Sequence, residues 1–378
     1  MKIGLVCPYN IVKPGGVQEV VLALKHGLEQ RGHSAKIITP SPRKHELEPE
    51  PGVIFAGTSV DFRTLSFSDT TSQVSSTADN ERIDAILAAE QFDVLHFHEP
   101  WMPLLSRQLL QRSTAVNIAT FHSKVADGVM SRSILKVVTP YLNSCMKYLD
   151  TLTAVSDSAA EYASGTTKLP ITIIPNGIDL AKYQRSTKKS RKSGQKTILF
   201  IGRLERRKGV KHLLQAYQLL AQDNPDVKLL IAGDGPDREK LEMLADDLKL
   251  SNVSFLGFIS EELKLKLLGE TDLFCSPALF GESFGIVLLE AMAMGAVTVA
   301  GNNSGYQDVM QGLGALSLVN PEDTVEFARR LELLLREDKL RTLWQAWAKS
   351  YVKQFNYPTV VAQYEELYHE ALKRHGQA

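Results

Sequence analysis

The sequence predicts an α/β protein with two parallel-sheet domains, and three observations lead to this expectation. The chain has 378 residues, more than the roughly 250 to 300 at which a single hydrophobic core stops growing. Short apolar runs alternate with segments of helical periodicity, which is typical of parallel strands covered by helices on both faces. This pattern is interrupted by a polar segment at residues 188–196 and then begins again, as expected at a domain boundary.

The first half contains seven short apolar runs that we interpret as strands. They lie at residues 2–8, 35–39, 53–56, 92–98, 115–122, 151–155 and 171–175. A helix follows the first run, because apolar residues recur at helical spacing from Val17 to Leu28 before Gly32 ends the pattern. Between the third and fourth runs, nine of the fourteen residues from Thr64 to Thr77 are Ser or Thr, so we expect a mobile loop there.

The second half repeats the pattern, with predicted strands at 197–202 and 228–232 and helices at 210–220 and 237–248. Residues 284–294 are apolar on nearly every side, which predicts a buried helix. After Pro358 apolar residues again share one helical face, so this last helix needs a partner surface on either domain. The predicted boundaries are a first domain at 1–175, a linker at 176–196 and a second domain at 197–357.

Composition excludes several classes of protein. Forty-three basic residues balance forty-three acidic ones, so the whole molecule lacks the basic footprint expected for binding nucleic acid. Cys7, Cys145 and Cys275 are too few and too far apart for a disulfide framework or a thiolate zinc site, which favours a reducing cytoplasm. The longest apolar stretch, 284–301, contains Glu290 and several glycines, so we expect no membrane span.

Polar residues collect at the predicted carboxyl ends of strands, where parallel sheets bind ligands. Gly15–Gly16 follows the first strand, His96, His98 and Glu99 close the fourth, and His122 closes the fifth. Two such sheets in one chain predict a ligand cleft between the domains. Each feature has a structural alternative: a plain tight turn for the glycines, and hydrogen-bonded strand-edge residues for the histidines. A metal site is disfavoured because no third strong ligand lies nearby in sequence.

The loop 202–209 is the clearest basic feature. Eleven Lys or Arg and a single acid, Glu205, lie between Arg185 and Lys211. We interpret the basic residues at 188–196 as part of a solvated linker. Arg203 and Lys208, in contrast, follow a predicted strand, where two cations can bind a diphosphate.

Two glutamates flank the apolar segment of the second domain. Glu282 comes just before the predicted helix, whose first amides can hold a phosphate. Glu290 lies inside the helix, and an unpaired buried carboxylate costs several kcal/mol, so it requires a pocket or a partner. The structural alternatives are a helix-starting acid for Glu282 and a core ion pair for Glu290.

At this segment the chain resembles the retaining nucleotide-sugar glycosyltransferases of family four, whose signature is two glutamates separated by seven residues. The remaining family motifs occur in family order: Gly15-Gly16-Val17, His96-Phe97-His98-Glu99-Pro100, Thr120-Phe121-His122, Ile174-Pro175-Asn176-Gly177, and Gly202-Arg203 with Lys208. The opening residues 3–9 are most similar to those of bacterial phosphatidylinositol mannosyltransferases. The resemblance implies the GT-B fold: two Rossmann-like, doubly wound parallel-sheet domains with an interdomain cleft. The donor belongs to the C-terminal domain, the acceptor to the N-terminal one, and the last helix, 358–378, packs back on the N-terminal domain.

The resemblance also implies roles for individual residues. The catalytic residues it implies are Glu282, His122, Arg203 and Lys208. The donor-binding residues are Gly16, Arg203, Lys208, Glu282, Ser283, Phe284, Gly285, Ile286, Val287 and Glu290. The acceptor-binding residues are Tyr9, Gly15, Gly16, Gln18, Trp101 and His122. No metal and no cofactor is implied, because the nucleotide sugar is itself a substrate.

The implied activity is transfer of a hexose, with mannose from GDP-mannose favoured, to a lipid or glycan hydroxyl such as that of phosphatidylinositol. The implied location is cytoplasmic, with peripheral contact to the inner face of an anionic membrane. Residues 60–92 carry only Arg63 and Arg82 against six acids, so such contact would fall to the basic linker. The alternatives are a UDP-sugar-dependent transferase, a sugar-nucleotide 2-epimerase and a non-catalytic sugar-binding protein.

Overall fold

A computed structural model describes residues 1–13, 15–42, 51–64, 70–75, 78–100, 102, 104–123, 139–165, 167–183 and 195–376. These residues form two compact units. The first unit combines Met1–Gly177 with Tyr357–Ala378, and the second is Ile178–Asn356. Most of the predicted linker, at 184–194, lies outside the described residues.

The first unit contains an eight-stranded sheet in the order β4-β3-β2-β1-β5-β6-β7-β8. All seven predicted strands are present and pair in parallel; only β4 runs antiparallel, against β3. The strands are β1 (Lys2–Val6), β2 (Ser34–Ser41), β3 (Val53–Thr64), β4 (Thr70–Ser75), β5 (Val94–His98), β6 (Val116–Phe121), β7 (Thr151–Ala154) and β8 (Ile171–Ile173).

The helices of the first unit connect these parallel strands. They are α1 (Gly16–Gln30), α2 (Asn80–Glu90), α3 (Leu105–Arg112), α4 (described over residues 139–146), α5 (Asp157–Ser164) and α13 (Tyr357–His375). Asp79 and Ser156 accept first-turn N–H groups of α2 and α5, which satisfies amides that have no partner within the helix.

The prediction of a loop at 64–77 is wrong for the part that the structure describes. Residues Thr70–Ser75 form β4, which pairs with the second half of β3 from Ser59 to Thr64. An edge strand needs backbone partners more than a hydrophobic core, and β-branched Thr suits an extended backbone. Residues 65–69 and 76–77 lie outside the described residues.

The final helix, α13, uses its apolar face within the first unit. Val360, Val361, Tyr364 and Tyr368 are buried in one hydrophobic core with residues of α1 and the central strands. This burial gives the helix the partner surface that its periodicity requires. None of the described helices, α13 included, combines the length and apolar content needed to cross a bilayer.

The second unit contains a six-stranded parallel sheet in the order β11-β10-β9-β12-β13-β14. Its strands are β9 (Lys196–Ile201), β10 (Val227–Ala232), β11 (Val253–Gly257), β12 (Leu273–Ser276), β13 (Val297–Gly301) and β14 (Leu318–Val319). Its helices are α6 (Val210–Asp223), α7 (Arg238–Asp247), α8 (Glu261–Glu270), α9 (Ile286–Ala293), α10 (Ser304–Val309), α11 (Thr324–Arg336) and α12 (Asp338–Tyr351). The two parallel-sheet α/β units confirm the predicted fold class.

Candidate active site

The loop between β9 and α6 carries the cations predicted to bind a diphosphate. Arg206–Lys208 forms a single 3-10 turn, and Gly209 ends it with a φ of 72°, in the left-handed region that favours glycine. A Cβ at Gly209 would collide with the carbonyl oxygen of Pro277, so only glycine lets the chain pass this close to the end of β12. This turn places Lys208 next to Glu282.

Glu282 is the centre of an ionic cluster in the second unit. Its Oε1 lies 2.7 Å from Nζ of Lys208 and 2.5 Å from Nη1 of Arg207. The Glu282 side chain is 13% exposed, so these charge-assisted contacts are partly shielded from water. The sequence alone does not single out Arg207, because three consecutive cations in one loop give no sign of which faces the carboxylate. The geometry of the 3-10 turn determines which of these cations face Glu282.

Arg203 lies at the edge of the same cluster. Its Nε is 3.6 Å from Oε2 of buried Glu205, and 40% of its side chain is exposed. Oε1 of Glu205 also lies 2.6 Å from Nε of Arg207, in an ion pair that lacks hydrogen-bond geometry. Three cations therefore share two carboxylates, which leaves one net positive charge next to water, where an anion can bind.

The helix after Glu282 begins later than predicted. We expected it from residue 284, but α9 begins at Ile286. Gly285 precedes it with a φ of 102°, and a Cβ there would lie 2.6 Å from Cε1 of Tyr306. This left-handed residue breaks the helical path, so Ser283 and Phe284 belong to the preceding loop.

The start of α9 has both a packed and a polar side. Phe284 is buried and contacts Phe355 edge to face, with ring centroids 5.9 Å apart. Its side chain therefore anchors the loop within the second unit. The first-turn amides at Ile286 and Val287 lie at the positive end of the helix, four and five residues after Glu282. An anion near Lys208 could receive further hydrogen bonds from such amides.

Glu290 lies in α9 and is buried, as its apolar surroundings in sequence predict. Its Oε1 accepts a hydrogen bond from the Tyr183 hydroxyl at 2.5 Å and pairs with Nζ of Lys264 at 2.9 Å. Burial favours the neutral form of Lys264, but attraction to Glu290 and Glu261 outweighs it and raises the Lys264 pKa above 10.5. Glu290 therefore forms the core ion pair that the sequence analysis gives as its structural alternative. Lys264 and Tyr183 have no motif that would mark them in sequence.

The first unit brings two predicted histidines into contact. Nδ1 of His98 lies 2.9 Å from Nε2 of His122, and both side chains are buried. Burial lowers the His122 pKa to about 3, although a hydrogen bond with Asn176 opposes the shift. Burial also lowers the His98 pKa well below 6.5, assisted by repulsion from His96 and His122. Near neutral pH the pair is uncharged, so it can exchange hydrogen bonds with hydroxyl groups without adding charge.

Glu99 fixes the backbone at His122. It adopts a φ of 52° at the end of β5, and its Oε1 accepts the His122 N–H at 3.0 Å and the Ser123 hydroxyl at 2.6 Å. Burial, and then the charge of Glu99, raise the pKa of Tyr9 well above 10. The Tyr9 hydroxyl therefore keeps its proton and remains a hydrogen-bond donor.

His96 belongs to a different network. Its Nδ1 lies 2.7 Å from the Tyr368 hydroxyl of α13, and its Nε2 lies 2.6 Å from Oγ1 of Thr120. Both ring nitrogens thus have protein partners, as the strand-edge alternative predicts. Among the described residues no three or more His, Cys, Asp or Glu side chains form a group that could hold a metal ion.

The glycine turn before α1 combines a crowded and an open position. A Cβ at Gly15 would collide with the Gln18 amide, whereas one at Gly16 would meet nothing within 4 Å. The first turn of α1 is therefore open at Gly16, as expected where a ligand approaches the backbone. Trp101, the remaining predicted acceptor residue, lies outside the described residues.

Comparison with protein-family models gives two adjacent matches. Residues 14–182 match the model described as Glycosyltransferase Family 4, and residues 183–351 match the one described as Glycosyl transferases group 1. The chain is also 33% identical over 371 residues to a phosphatidyl-myo-inositol mannosyltransferase of Mycolicibacterium smegmatis. That alignment covers 97% of this chain and 93% of the relative.

Solved structures support the fold. A sucrose-phosphate synthase from Thermosynechococcus elongatus superimposes with a TM-score of 0.78 at 20% identity, covering 98% of this chain and 99% of that one. Anabaena HepE in complex with UDP superimposes with a TM-score of 0.75 at 19% identity, covering 98% and 100%. At such identities the likeness concerns the fold, and it agrees with the predicted GT-B architecture.

Proposed function

This chain belongs to the group 1 and family 4 glycosyltransferases, and we propose that it transfers mannose from GDP-mannose to a hydroxyl of an inositol phospholipid. We further propose that the anomeric configuration is retained and that no metal is required. The relative from Mycolicibacterium smegmatis supports the sugar and the acceptor through its name.

The observation that carries the donor site is the ionic cluster of Arg203, Arg207 and Lys208 with Glu205 and Glu282. It lies at the carboxyl end of β9, where parallel sheets bind ligands, and it has an excess positive charge. Departure of a nucleoside diphosphate builds negative charge, and a preorganised cation stabilises such charge by roughly 3 kcal/mol. Arg203 and Lys208 supply that stabilisation, assisted by the amides that open α9.

The other residues hold the two ends of the donor. Glu282 accepts hydrogen bonds from hydroxyls of the transferred sugar, and Glu290 accepts them from the ribose. Glu290 already shares Oε1 with a hydroxyl, that of Tyr183, so a ribose hydroxyl is a chemically matched partner. His122, being neutral, hydrogen-bonds the sugar. The leaving phosphate takes the proton of the acceptor hydroxyl on the same face, which retains the configuration without a separate base.

The reaction is tested by incubating the protein with radiolabelled GDP-mannose and phosphatidylinositol. Labelled glycolipid supports the proposal, while release of a free epimer identifies an epimerase and bound but unreacted donor identifies a sugar-binding protein. UDP-glucose run in parallel tests the alternative donor class, since HepE forms a complex with UDP.

The donor base is tested separately by thermal shift. A ligand at a hundred times its dissociation constant stabilises the folded state by about 2.7 kcal/mol, so GDP should raise the melting temperature more than UDP. A larger shift with UDP contradicts the GDP assignment and leaves the transferase proposal standing.

We also propose that the basic linker docks on an anionic membrane. Lys188, Lys189, Arg191 and Lys192 lie outside the described residues, so the support is their charge: each cation near an anionic surface contributes about 1 kcal/mol, less in salt. In flotation with phosphatidylinositol vesicles, the wild type should bind, and added salt should weaken the binding. A variant with these four cations replaced by Ser should bind less. Undiminished binding by the variant assigns docking to another surface.

A further inference from the structure

Arg207 connects two carboxylates at the base of the donor site. Its Nε lies 2.6 Å from Oε1 of Glu205, and its Nη1 lies 2.5 Å from Oε1 of Glu282. The same Nη1 donates to the carbonyl oxygen of Gly281 at 3.2 Å. A guanidinium keeps its charge at any physiological pH, so this side chain links the two acids: it hydrogen-bonds Glu282 through Nη1 and attracts Glu205 by charge.

The bridge is anchored on the buried side. Glu205 is 6% exposed, and its backbone carbonyl accepts the N–H of Lys208 at 2.9 Å, which closes the 3-10 turn. The Arg207 side chain is 17% exposed. Nη1 is therefore hydrogen-bonded within the second unit, to Glu282 and the carbonyl oxygen of Gly281, while Nε forms an ion pair with Glu205 that lacks hydrogen-bond geometry.

Lys208 holds the same carboxylate in a different way. Its single ammonium group lies 2.7 Å from Oε1 of Glu282, the atom that Arg207 also contacts. An ammonium on a flexible stem can change partners at less cost than a guanidinium fixed at two acids. A diphosphate carries more negative charge than one carboxylate, so it competes for Lys208 while Arg207 stays on Glu282.

We infer that Arg207 is a positioning residue, which holds the Glu282 carboxylate at the sugar while Lys208 transfers to the diphosphate. The inference rests on the proposed function, because it requires a sugar at Glu282 and a diphosphate at Lys208. It assigns Arg207 no contact with the donor: Arg207 acts through Glu282. Loss of Arg207 should therefore affect sugar transfer and spare binding of a nucleoside diphosphate that carries no sugar.

The test compares binding with turnover in the full chain. Calorimetric titration with GDP, and with UDP in parallel, measures diphosphate affinity, while GDP-mannose and phosphatidylinositol, with UDP-glucose in parallel, measure kcat. Arg207→Gln should keep the affinity of the wild type within about threefold and lower kcat about tenfold or more, whereas Lys208→Ala should weaken affinity about tenfold. Arg206→Gln removes the same charge from the exposed neighbouring residue and is the matched control.

A double-mutant cycle separates positioning from a merely structural role. In the Glu282→Gln background, Arg207→Gln should lower kcat by less than about twofold more, because both changes remove the same interaction. Arg207→Lys keeps the charge without the two-acid bridge and provides a second variant if Arg207→Gln fails to fold; it should show the same split between affinity and kcat.

Three outcomes overturn the inference. In the first, the Arg207 variants lose as much diphosphate affinity as Lys208→Ala. In the second, the fold-loss of kcat in the double variant equals the product of the losses caused by Arg207→Gln and Glu282→Gln alone. The third is turnover as high as that of Arg206→Gln. All three presuppose an active wild type; a wild type that binds neither GDP nor UDP and transfers neither sugar defeats the proposed function itself, and the inference with it.

Discussion

The two units place polar side chains at the carboxyl ends of buried strands with opposite chemistry. In the first unit the buried histidines are neutral: His98 pairs with His122, and His96 with Tyr368. In the second unit the corresponding groups are ions, centred on Glu282 and Glu290. A buried group needs a partner in either case, but a neutral network presents donors and acceptors to hydroxyls, whereas an ionic one presents charge to a charged ligand.

The difference extends to how readily the partners can exchange. Oε1 of Glu282 is shared by Arg207 and Lys208, so one contact can be released while the carboxylate remains paired. Both nitrogens of His96 are held by single partners, and releasing either would leave a buried polar atom unsatisfied at a cost of about 1 to 3 kcal/mol. The ionic network is thus suited to exchange with a ligand, and the neutral network is suited to holding its position.

The largest expected effect comes from neutralising the ionic network. Lys208→Ala and Glu282→Gln should each lower turnover at least about a hundredfold, because each removes a charged group that we propose contacts the donor. Initial rates with radiolabelled GDP-mannose measure the loss, and circular dichroism verifies the fold. Near-normal turnover in either folded variant would show that the ionic network does not serve catalysis.

The neutral network should make the protein sensitive to acid. His96 and His122 have pKa values of about 3 instead of 6.5, so below pH 6.5 the unfolded chain binds protons that the native state does not. Stability is complete above pH 6.5 and falls toward pH 3, by up to about 1.4 kcal/mol per pH unit for each histidine. Urea unfolding at pH 7.5, 6.5 and 5.5 measures the slope.

Substitution of one buried histidine tests the origin of that slope. His96→Gln should flatten the pH dependence of the urea midpoint, whereas His26→Gln, at an exposed position, should leave it unchanged. Equal slopes in wild type and His96→Gln would show that His96 does not contribute to the pH dependence.

A smaller effect is expected where α13 meets the network. Tyr368→Phe removes the 2.7 Å partner of His96 Nδ1, which should cost about 1 kcal/mol and lower the melting temperature by about 2 to 4 °C. Tyr364→Phe is the matched control, because its hydroxyl lies 3.4 Å from Thr120 and should contribute less. A melting temperature that Tyr368→Phe leaves unchanged would mean that the Tyr368 hydroxyl does not stabilise His96.

The smallest expected effect is that of a chelator. In the proposed donor site, two cations and the amides of α9 compensate the charge of the diphosphate without a metal, so turnover should be unchanged in EDTA. Rates measured before and after dialysis against EDTA test this. Loss of activity that manganese or magnesium restores would assign the charge compensation to a metal.

The sequence by itself determined the architecture and the location of the polar residues. Apolar runs and helical periodicity predict the seven parallel strands of the first sheet and the buried helix around Glu290, because burial in a parallel sheet requires continuous apolar residues. The basic loop and the paired glutamates could also be located from the sequence, because charged residues next to apolar runs are easily recognised. The Ser and Thr residues at 64–77 led to a wrong prediction of a loop, since the same residues suit a loop or an edge strand such as β4.

Only the tertiary structure decided the partners. Periodicity places Glu290 inside a helix, but it cannot show that Lys264, from α8, and Tyr183 would reach the same oxygen. It places three cations in one loop, but the left-handed Gly209 and the 3-10 turn select Arg207 and Lys208 for Glu282. Pairing between distant segments depends on chain path and on distances of a few ångströms, and a carboxylate has the same local pattern whichever cation it meets.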